Sequence, residues 1–176
     1  MTDRRVALAF LGCGKITRAH SKTMARVAPT APRYFASRDR SRGEQYSREL
    51  NGAGSFGSYE EAMASELVTV VMVCTPPDSH LALTLQALAA GKDVIVEKPA
   101  FHHSRDVDAV EAAMRASGRR VFVAENYFYK PLRRAVAAVV ASGDLGEIRF
   151  VHLNAMKQQV NTDWRADPAV AGGGAL

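Results

Sequence analysis

The sequence predicts an α/β protein built on a Rossmann-type, doubly wound parallel sheet. Short runs of β-branched and aromatic residues recur along the chain and are apolar throughout, as in parallel strands covered on both faces. Segments of helical length separate these runs, and alternating strands and helices build parallel sheets with right-handed crossovers. A Gly-x-Gly turn joins the first run to the first helical segment, which is typical of nucleotide-binding sheets.

The apolar runs are the predicted strands, and the predicted helices lie between them. Strands are expected at Val6–Leu11, Tyr34–Ser37, Val68–Cys74, Val94–Glu97 and Val121–Ala124. Helices are expected at Ile16–Val27, Arg42–Leu50, Tyr59–Ala64, Ser79–Ala90 and Val107–Ser117. Gly91 and Gly118 directly follow two of these helices, and glycine is a common helix stop.

The pattern changes after residue 125. A helix is predicted at Pro131–Ser142, because proline suits a first helical turn and Gly143 stands just past the end. Glu147–Gln158 partly alternates apolar and polar residues, as a half-buried antiparallel strand does, but a lone strand has no stable partner. We therefore predict a Rossmann domain at residues 1–125. Residues 126–176 are predicted to be the incomplete start of a second α/β domain with a mostly antiparallel sheet.

Composition excludes several classes of protein. The chain has 176 residues, of which 47% are hydrophobic and 23% charged, so it is neither disordered, collagen-like nor a coiled coil. Two cysteines, Cys13 and Cys74, are too few for a disulfide scaffold and favour a reducing compartment. Val6–Leu11 is shorter than the roughly 7–15 residues of an export signal, and no apolar run approaches the roughly 20 residues of a membrane span. We expect a cytoplasmic protein with no membrane partner.

The net charge of +5 is unevenly distributed. Residues 1–50 hold 11 Lys and Arg against 4 Asp and Glu, a balance of +7, whereas the remaining residues hold 12 against 14, a balance of −2. The excess of cations favours a phosphate-bearing ligand. Nucleic acid is the alternative, but the basic residues are scattered and no aromatic-interleaved or zinc-type motif accompanies them, so no nucleic-acid partner is predicted.

The turn after the first strand predicts a dinucleotide site. Gly12 permits a tight turn, and Gly14 lacks a Cβ, so that a pyrophosphate can approach the backbone. Lys15 and Ile16 open the helix, whose N-terminus offers free N–H groups and the positive end of a dipole. Thr17 stands where the G-x-G-x-x-G pattern has Gly or Ala, which weakens the match.

The end of the second strand favours NADP over NAD. Ser37 and Arg38 offer a hydroxyl and a guanidinium, which suit a 2′-phosphate, where NAD-binding sheets present a carboxylate to the ribose. The absence of that carboxylate also counts against a methyltransferase. The alternatives are that Arg38 and Arg40 are solvated charges and that Asp39 turns inward to bind NAD.

Two further turns follow strands at the same predicted edge of the sheet. One carries Thr75-Pro76-Pro77-Asp78-Ser79-His80, and the other carries Glu97-Lys98-Pro99. A lysine that faces a cofactor crevice can donate to a carbonyl or hydroxyl oxygen, although an isolated Glu-Lys pair is more often structural. No Cys/His cluster has the spacing of metal ligands, so no metal is predicted.

Together these motifs resemble the Gfo/Idh/MocA oxidoreductases, a family named for glucose–fructose oxidoreductase and inositol dehydrogenase. The resemblance covers essentially the whole chain and rests on GCGKIT, SRD, TPPDSH, EKP, ENYFYKP, SGDLGEIR and WRADPAVAGGGAL. It implies an NAD(P)-dependent dehydrogenase or reductase. Such an enzyme transfers hydride between nicotinamide and a hydroxyl or carbonyl group of a sugar, polyol or related small molecule.

The resemblance also implies roles for individual residues. Lys98 matches the EKP lysine that contacts the substrate hydroxyl and the nicotinamide region, with Glu97 orienting it. His80 matches the histidine after the TPP turn and would line or brace the crevice, unless it is a helix-surface imidazole. The remaining implied positions are Thr75, Pro76 and Asn126 at the cofactor, and Tyr127, Trp164 and Arg165 near the substrate.

In the family, the proton-transferring histidine follows the segment that ends here at Leu176. We therefore expect these 176 residues to bind NADP(H) but to turn over very slowly. A non-catalytic dinucleotide-binding module, or a truncated remnant, is the alternative. The resemblance implies a homo-oligomer when the second domain is complete.

Overall fold

The computed structural model describes residues 6–154 and 162–172. Its strands are β1 (Leu8–Leu11), β2 (Arg33–Ala36), β3 (Gly54–Phe56), β4 (Val70–Val73), β5 (Asp93–Val96) and β6 (Val121–Val123). They form one sheet in the order β3-β2-β1-β4-β5-β6, and every pairing is parallel. The order reverses between β1 and β4, which is the switch point of a Rossmann sheet. The predicted fold class is confirmed.

Helices alternate with the strands. They are α1 (Lys15–Val27), α2 (Arg40–Glu49), α3 (Tyr59–Ala64), α4 (His80–Ala89), α5 (Ser104–Ser117), α6 (Pro131–Ser142) and α7 (Pro168–Ala171). Helix α2 begins at Arg40, before the predicted Arg42, because the carboxylate of Asp39 accepts the N–H groups of Ser41 and Arg42. Helix α5 begins at Ser104 because a capping box joins His103 to Asp106.

The sequence analysis missed strand β3. Its residues are only half-buried, and it pairs with β2 alone, at one edge of the sheet. The sequence Gly-Ser-Phe has none of the β-branched runs that mark the other strands. Its strand conformation depends on pairing with the backbone of β2, which a local pattern does not reveal.

The core has two layers, because successive side chains of a strand point to opposite faces of the sheet. On one face, Phe10 and Phe35 are fully buried, with ring centroids 5.4 Å apart, and they pack with Tyr46 of α2. On the other face, the valines of β4 and β5 pack with side chains from α3, α4 and α5. Each fully buried side chain of this size contributes about 1.5–3 kcal/mol, so the core fixes the sheet on which the strand ends are arranged.

The chain after residue 125 is much less buried. Helix α6 starts at Pro131 and ends before Gly143, as predicted, but none of its residues is buried. The predicted strand Glu147–Gln158 is wrong over residues 147–154, which form no strand, because no described segment pairs with them. Residues 155–158 of that prediction lie outside the described part of the chain. The assignment of residues 126–176 to a second domain stays a prediction.

The segment 162–172 returns to the carboxyl edge of the sheet. Helix α7 contacts the 3-10 turn Pro77–Ser79, which precedes α4. Gly172 has φ +75° and lies against His102, since a Cβ built there would come within 2.6 Å of the imidazole. No helix of the described ranges combines the length and the apolar character needed to cross a membrane.

Candidate dinucleotide-binding site

The turn after β1 requires glycine at its first position. Gly12 has φ +96°, and a Cβ there would lie 3.1 Å from Thr75 Cγ2 and 3.2 Å from the carbonyl oxygen of Cys74. The positive φ and the nearby turn after β4 therefore both disfavour a side chain at this position. The close approach brings the ends of β1 and β4 together at the switch point.

The second glycine leaves the start of α1 open. Gly14 is the N-cap residue, and no side chain caps the helix. Among the described residues other than Gly14 and its two chain neighbours, no atom lies within 4 Å of the position that a Cβ would take on Gly14. The side chains of Lys15 and Ile16 are exposed, so the free N–H groups of this turn lie at an accessible helix N-terminus. Such a terminus binds phosphate through its N–H groups and its dipole, so the loop fits a diphosphate.

Thr17 fits into the position where the glycine pattern has Gly or Ala. Its side chain is fully buried, and its hydroxyl donates to the carbonyl oxygen of Gly12 at 2.6 Å. The threonine therefore packs the helix against the strand and also closes the turn with a hydrogen bond.

Asp39 at the end of β2 is engaged by its own helix. Its Oδ1 accepts the N–H of Ser41 at 3.0 Å and the hydroxyl of Ser41 at 2.7 Å. The hydrogen bond from the Ser41 side chain, followed by that from the Arg42 backbone, lowers the pKa of Asp39 below its usual value. Through Oδ1, this carboxylate caps the start of α2.

Ser37 and the neighbouring arginines surround the same edge. Ser37 is buried, and its Oγ accepts the N–H of Asp39 at 3.2 Å. Arg38 is exposed, whereas Arg40 pairs with Glu61 at 3.2 Å. Arg42 donates from Nε to the carbonyl oxygen of Cys13 at 2.9 Å, which links α2 to the glycine turn. The sequence analysis assigned no role to Arg42, because this contact joins segments 29 residues apart.

Arg38 also lies beside Tyr59 at the start of α3. Burial raises the pKa of the Tyr59 hydroxyl, and the nearby Arg38 guanidinium opposes the increase. The guanidinium of Arg38 is thus placed near the end of β2, with a phenol on one side.

The two cysteines at the turns are inert. Burial raises the pKa of Cys13 to about 11 and that of Cys74 to about 12. Both thiols are protonated at neutral pH and fill space at the switch point, so neither is a nucleophile.

The turns after β4 and β5 are joined by a buried histidine. His80 is fully buried, with Nε2 2.9 Å from the carbonyl oxygen of Thr75 and Nδ1 2.9 Å from that of Pro99. Ser79 Oγ lies 2.7 Å from both Thr75 Oγ1 and the Pro76 carbonyl oxygen, which closes the TPP turn. The structure contradicts the alternative of a helix-surface imidazole, because His80 braces two turns from the interior.

Glu97 and Lys98 follow β5, and the Lys98–Pro99 peptide bond is cis. Glu97 Oε2 accepts the backbone N–H of Lys98 at 3.0 Å. The lysine residue is exposed, and its amine makes no hydrogen bond or ion pair with any described residue. Glu97 therefore orients the backbone of Lys98 and leaves the amine free, whereas the sequence alone suggested a Glu-Lys pair.

The second oxygen of Glu97 contacts a residue that the sequence analysis left without a role. Glu97 Oε1 lies 2.6 Å from His20 Nε2, on α1. Burial raises the pKa of Glu97, but the hydrogen bonds from the His20 side chain and the Lys98 backbone outweigh it and lower the pKa overall. The only local signal is that His20 stands three residues after the buried Thr17, next to the inward face of α1.

A cavity of about 690 Å³ adjoins this pair. Apolar side chains of the central strands form its floor, and His20, Asn126 and Tyr129 are among its polar lining residues. Asn126 shares this lining with His20, and its role at the cofactor stays a prediction. Tyr127 is exposed, and the Lys130 ammonium lies 3.7 Å from the centre of its ring.

Trp164 and Arg165 contact each other near the same edge. The Arg165 guanidinium lies 4.2 Å from the centre of the Trp164 ring, in the turn that leads into α7. Within the residues that the structure describes, no three His, Cys, Asp or Glu side chains form a group that could hold a metal ion.

The sheet order and the open glycine turn define a dinucleotide-binding Rossmann protein. A family model described as "Oxidoreductase family, NAD-binding Rossmann fold" matches residues 6–125. The chain belongs to this family, the Gfo/Idh/MocA oxidoreductases, and the resemblance seen in its motifs is confirmed. An NAD(P) cofactor is confirmed at the level of the family.

Individual relatives are named oxidoreductases. The trans-1,2-dihydrobenzene-1,2-diol dehydrogenase of Sus scrofa is 34% identical over 80% of this chain and 42% of its own length. The crystal structure of an NAD binding oxidoreductase from Klebsiella pneumoniae is 26% identical, with a TM-score of 0.72 over 81% of this chain and 40% of that one. A mutant 3-ketoreductase from Actinomadura kijaniata, crystallised with TDP-benzene and NADP, is 25% identical, with a TM-score of 0.73 over 83% of this chain and 45% of that one. The chain thus spans less than half the length of these relatives.

Proposed function

We propose that this chain is the dinucleotide-binding part of an NADP-preferring dehydrogenase or reductase. The enzyme acts on a hydroxyl or carbonyl group of a sugar, polyol or related small molecule. One observation carries the proposal. An uncapped helix N-terminus behind Gly14 lies at the same edge of one Rossmann sheet as an exposed lysine whose amine has no partner in the described part of the chain. The first suits a diphosphate, and the second suits the oxygen of a substrate.

The preference for NADP is supported by the end of β2. Asp39 is engaged in capping α2, so it does not offer its carboxylate to a ribose. The Ser37 hydroxyl and the Arg38 guanidinium remain at this edge, and a fork of N–H donors suits a 2′-phosphate. Arg40 is the less suitable cation because Glu61 pairs with it.

Lys98 is the residue that we place at the reacting oxygen. A bound nicotinamide supplies the hydride acceptor or donor, so the chain's own task is to hold the two reactants together. The Lys98 ammonium donates a hydrogen bond to the hydroxyl or carbonyl oxygen, and Glu97 fixes the backbone from which that side chain extends. The relatives named as a dihydrodiol dehydrogenase and a 3-ketoreductase support a substrate of this alcohol or ketone class.

Further proposals concern partners and place in the cell. Leu132, Val136 and Val139 of α6 are each at least 49% exposed, which supports a protein surface covering this helix, and we propose a homo-oligomer. Neither nucleic acid nor membrane is proposed as a partner, and the cytoplasm is proposed as the compartment.

Replacement of Lys98 tests the proposed reaction. In the full-length enzyme of which this chain would be part, Lys98→Met is expected to lower the rate of NADP-dependent alcohol oxidation by a factor of about 10² or more, because the donor to the reacting oxygen is lost. The dissociation constant for NADPH, measured by nicotinamide fluorescence, is expected to stay within about threefold of the parent value, since the diphosphate lies on α1. Lys22→Met, on the exposed side of α1, is the matched control. An unchanged rate would favour the non-catalytic dinucleotide-binding module.

A further inference from the structure

A direct contact joins the helix of the dinucleotide loop to the turn that carries Lys98. His20 lies on α1, about one and a half turns after the helix begins at Lys15. Its Nε2 is 2.6 Å from Glu97 Oε1, and Glu97 Oε2 holds the backbone N–H of Lys98 at 3.0 Å. The two bonds of Glu97 form a continuous path from α1 to the lysine.

The chemistry of this contact fixes the position of a proton. Glu97 is a nearly buried carboxylate, with its side chain 9% exposed, and an ionised carboxylate only accepts hydrogen bonds. His20 Nε2 is therefore the donor, and it carries a hydrogen in this contact. The imidazole side chain is 32% exposed and lines the cavity next to Glu97.

Without His20, one oxygen of Glu97 would lose its donor. A buried carboxylate with an unsatisfied oxygen turns to find water or another donor. Such a turn would also disturb its second bond, which fixes the Lys98 backbone. Small displacements of a donor from the reacting atoms cost large factors in rate, so the position of this backbone matters for the chemistry.

We infer that His20 is a positioning residue: through Glu97 it fixes Lys98 relative to the helix that binds the diphosphate. This inference rests on the proposed function, since it presumes that the lysine and the dinucleotide act together. It assigns a role to a histidine that the sequence analysis left without one.

The test compares two amides of different reach. In His20→Gln the amide can take the place of Nε2 and donate to Glu97, whereas in His20→Asn the shorter amide reaches only the place of Nδ1. Lys98 is followed directly by reductive methylation with ¹³C-formaldehyde and NMR, and its signal is assigned with Lys98→Arg. Lys22→Gln, on the same helix and exposed, controls for the loss of a polar side chain.

In the parent protein, NADPH is expected to shift the Lys98 resonance. His20→Asn is expected to abolish this shift and lower the rate of hydride transfer by a factor of about 10 to 100, with the dissociation constant for NADPH within about threefold. His20→Gln is expected to restore both. If His20 had a merely structural role, both variants would have a lower melting temperature, and the Lys98 resonance would still shift when NADPH binds.

The outcomes separate this inference from the proposed function. If NADPH fails to bind the parent protein, the proposed function is wrong. If NADPH binds and the Lys98 resonance responds equally in the parent protein and in His20→Asn, His20 does not position the lysine and the inference is overturned. A response lost in His20→Asn and unrestored by Gln also overturns it, because the donor to Glu97 would then be irrelevant.

Discussion

Single residues at the glycine turn act in different ways on the same loop. Gly12 is required by the fold, because its φ of +96° and the backbone of Cys74 exclude a side chain. Gly14 has an extended backbone and open space around it, so the fold itself tolerates a side chain there. A glycine at this second position suits both the N-cap of α1 and a ligand that approaches the backbone.

A pair of alanine variants separates these two roles. Gly12→Ala is expected to lower the free energy of unfolding by about 1–3 kcal/mol, since alanine at positive φ is strained and its methyl group meets the β4 end. Gly14→Ala is expected to cost less than about 1 kcal/mol and to weaken NADPH binding at least about tenfold, because the methyl group occupies the diphosphate's place. Urea denaturation and fluorescence titration measure the two effects. Undiminished NADPH binding by Gly14→Ala would place the diphosphate elsewhere.

At the scale of elements, buried side chains join the turns that the sheet brings to one edge. His80 connects the turn after β4 to the turn after β5, and Glu97 connects the turn after β5 to α1. These connections are polar and mostly buried, so each depends on complete hydrogen bonding. Loss of these hydrogen bonds would loosen the turns at this edge of the sheet while leaving the apolar core intact.

The ionisation of Glu97 makes the free energy of unfolding depend on pH. The folded-state pKa of Glu97 lies below its ordinary value of 4.5, so its stabilising effect is complete above that value and is lost as the pH falls through the lowered pKa. Glu97→Gln is expected to lower the free energy of unfolding by about 1–3 kcal/mol at neutral pH, because one of two donors loses its acceptor. The difference between parent and variant should shrink between about pH 5 and pH 3 in urea denaturation series.

The exposed Glu66→Gln is the control for that series, since it removes a carboxylate from the turn that precedes β4, at the opposite end of the strand. A parent-minus-variant difference for Glu97 that stays constant with pH would show that its carboxylate is not stabilised by these bonds.

At the scale of the whole molecule, local patterns predict the sheet and the loop but not the contacts between distant turns. The apolar runs give five of the strands, and Gly12, Gly14 and Lys98 stand in short motifs whose chemistry is readable from the sequence. His20 and Glu97 are 77 residues apart, and β3 pairs only through β2, so neither leaves a local signal. The cap that Asp39 places on α2 is likewise seen only in the folded backbone.

The charge distribution of the whole chain also has a measurable consequence. Lys15, Arg38, Arg40 and Arg42 lie in the segments that follow the carboxyl ends of β1 and β2, so their charge should favour the more highly charged dinucleotide. At low salt, NADPH is expected to bind at least about tenfold more tightly than NADH, because charge-assisted bonds to a 2′-phosphate contribute about 1.5–3 kcal/mol. Raising the ionic strength from about 0.01 M to about 0.3 M should weaken NADPH binding more than NADH binding, as the Debye length falls from about 30 Å to under about 10 Å.

Arg38→Ala should remove most of this preference and reduce the salt dependence of NADPH binding. Arg115→Ala is the matched control, because Arg115 is also exposed but lies in the last turn of α5, where it pairs with Glu111. Fluorescence titrations at several salt concentrations give the preference for NADPH over NADH and the salt dependence of NADPH binding for each variant. A preference for NADPH that survives in Arg38→Ala would contradict the assignment of the 2′-phosphate to this edge.

Displacement of NADPH by a DNA duplex at low salt would instead indicate that the basic residues bind nucleic acid, which the scattered placement of these cations argues against.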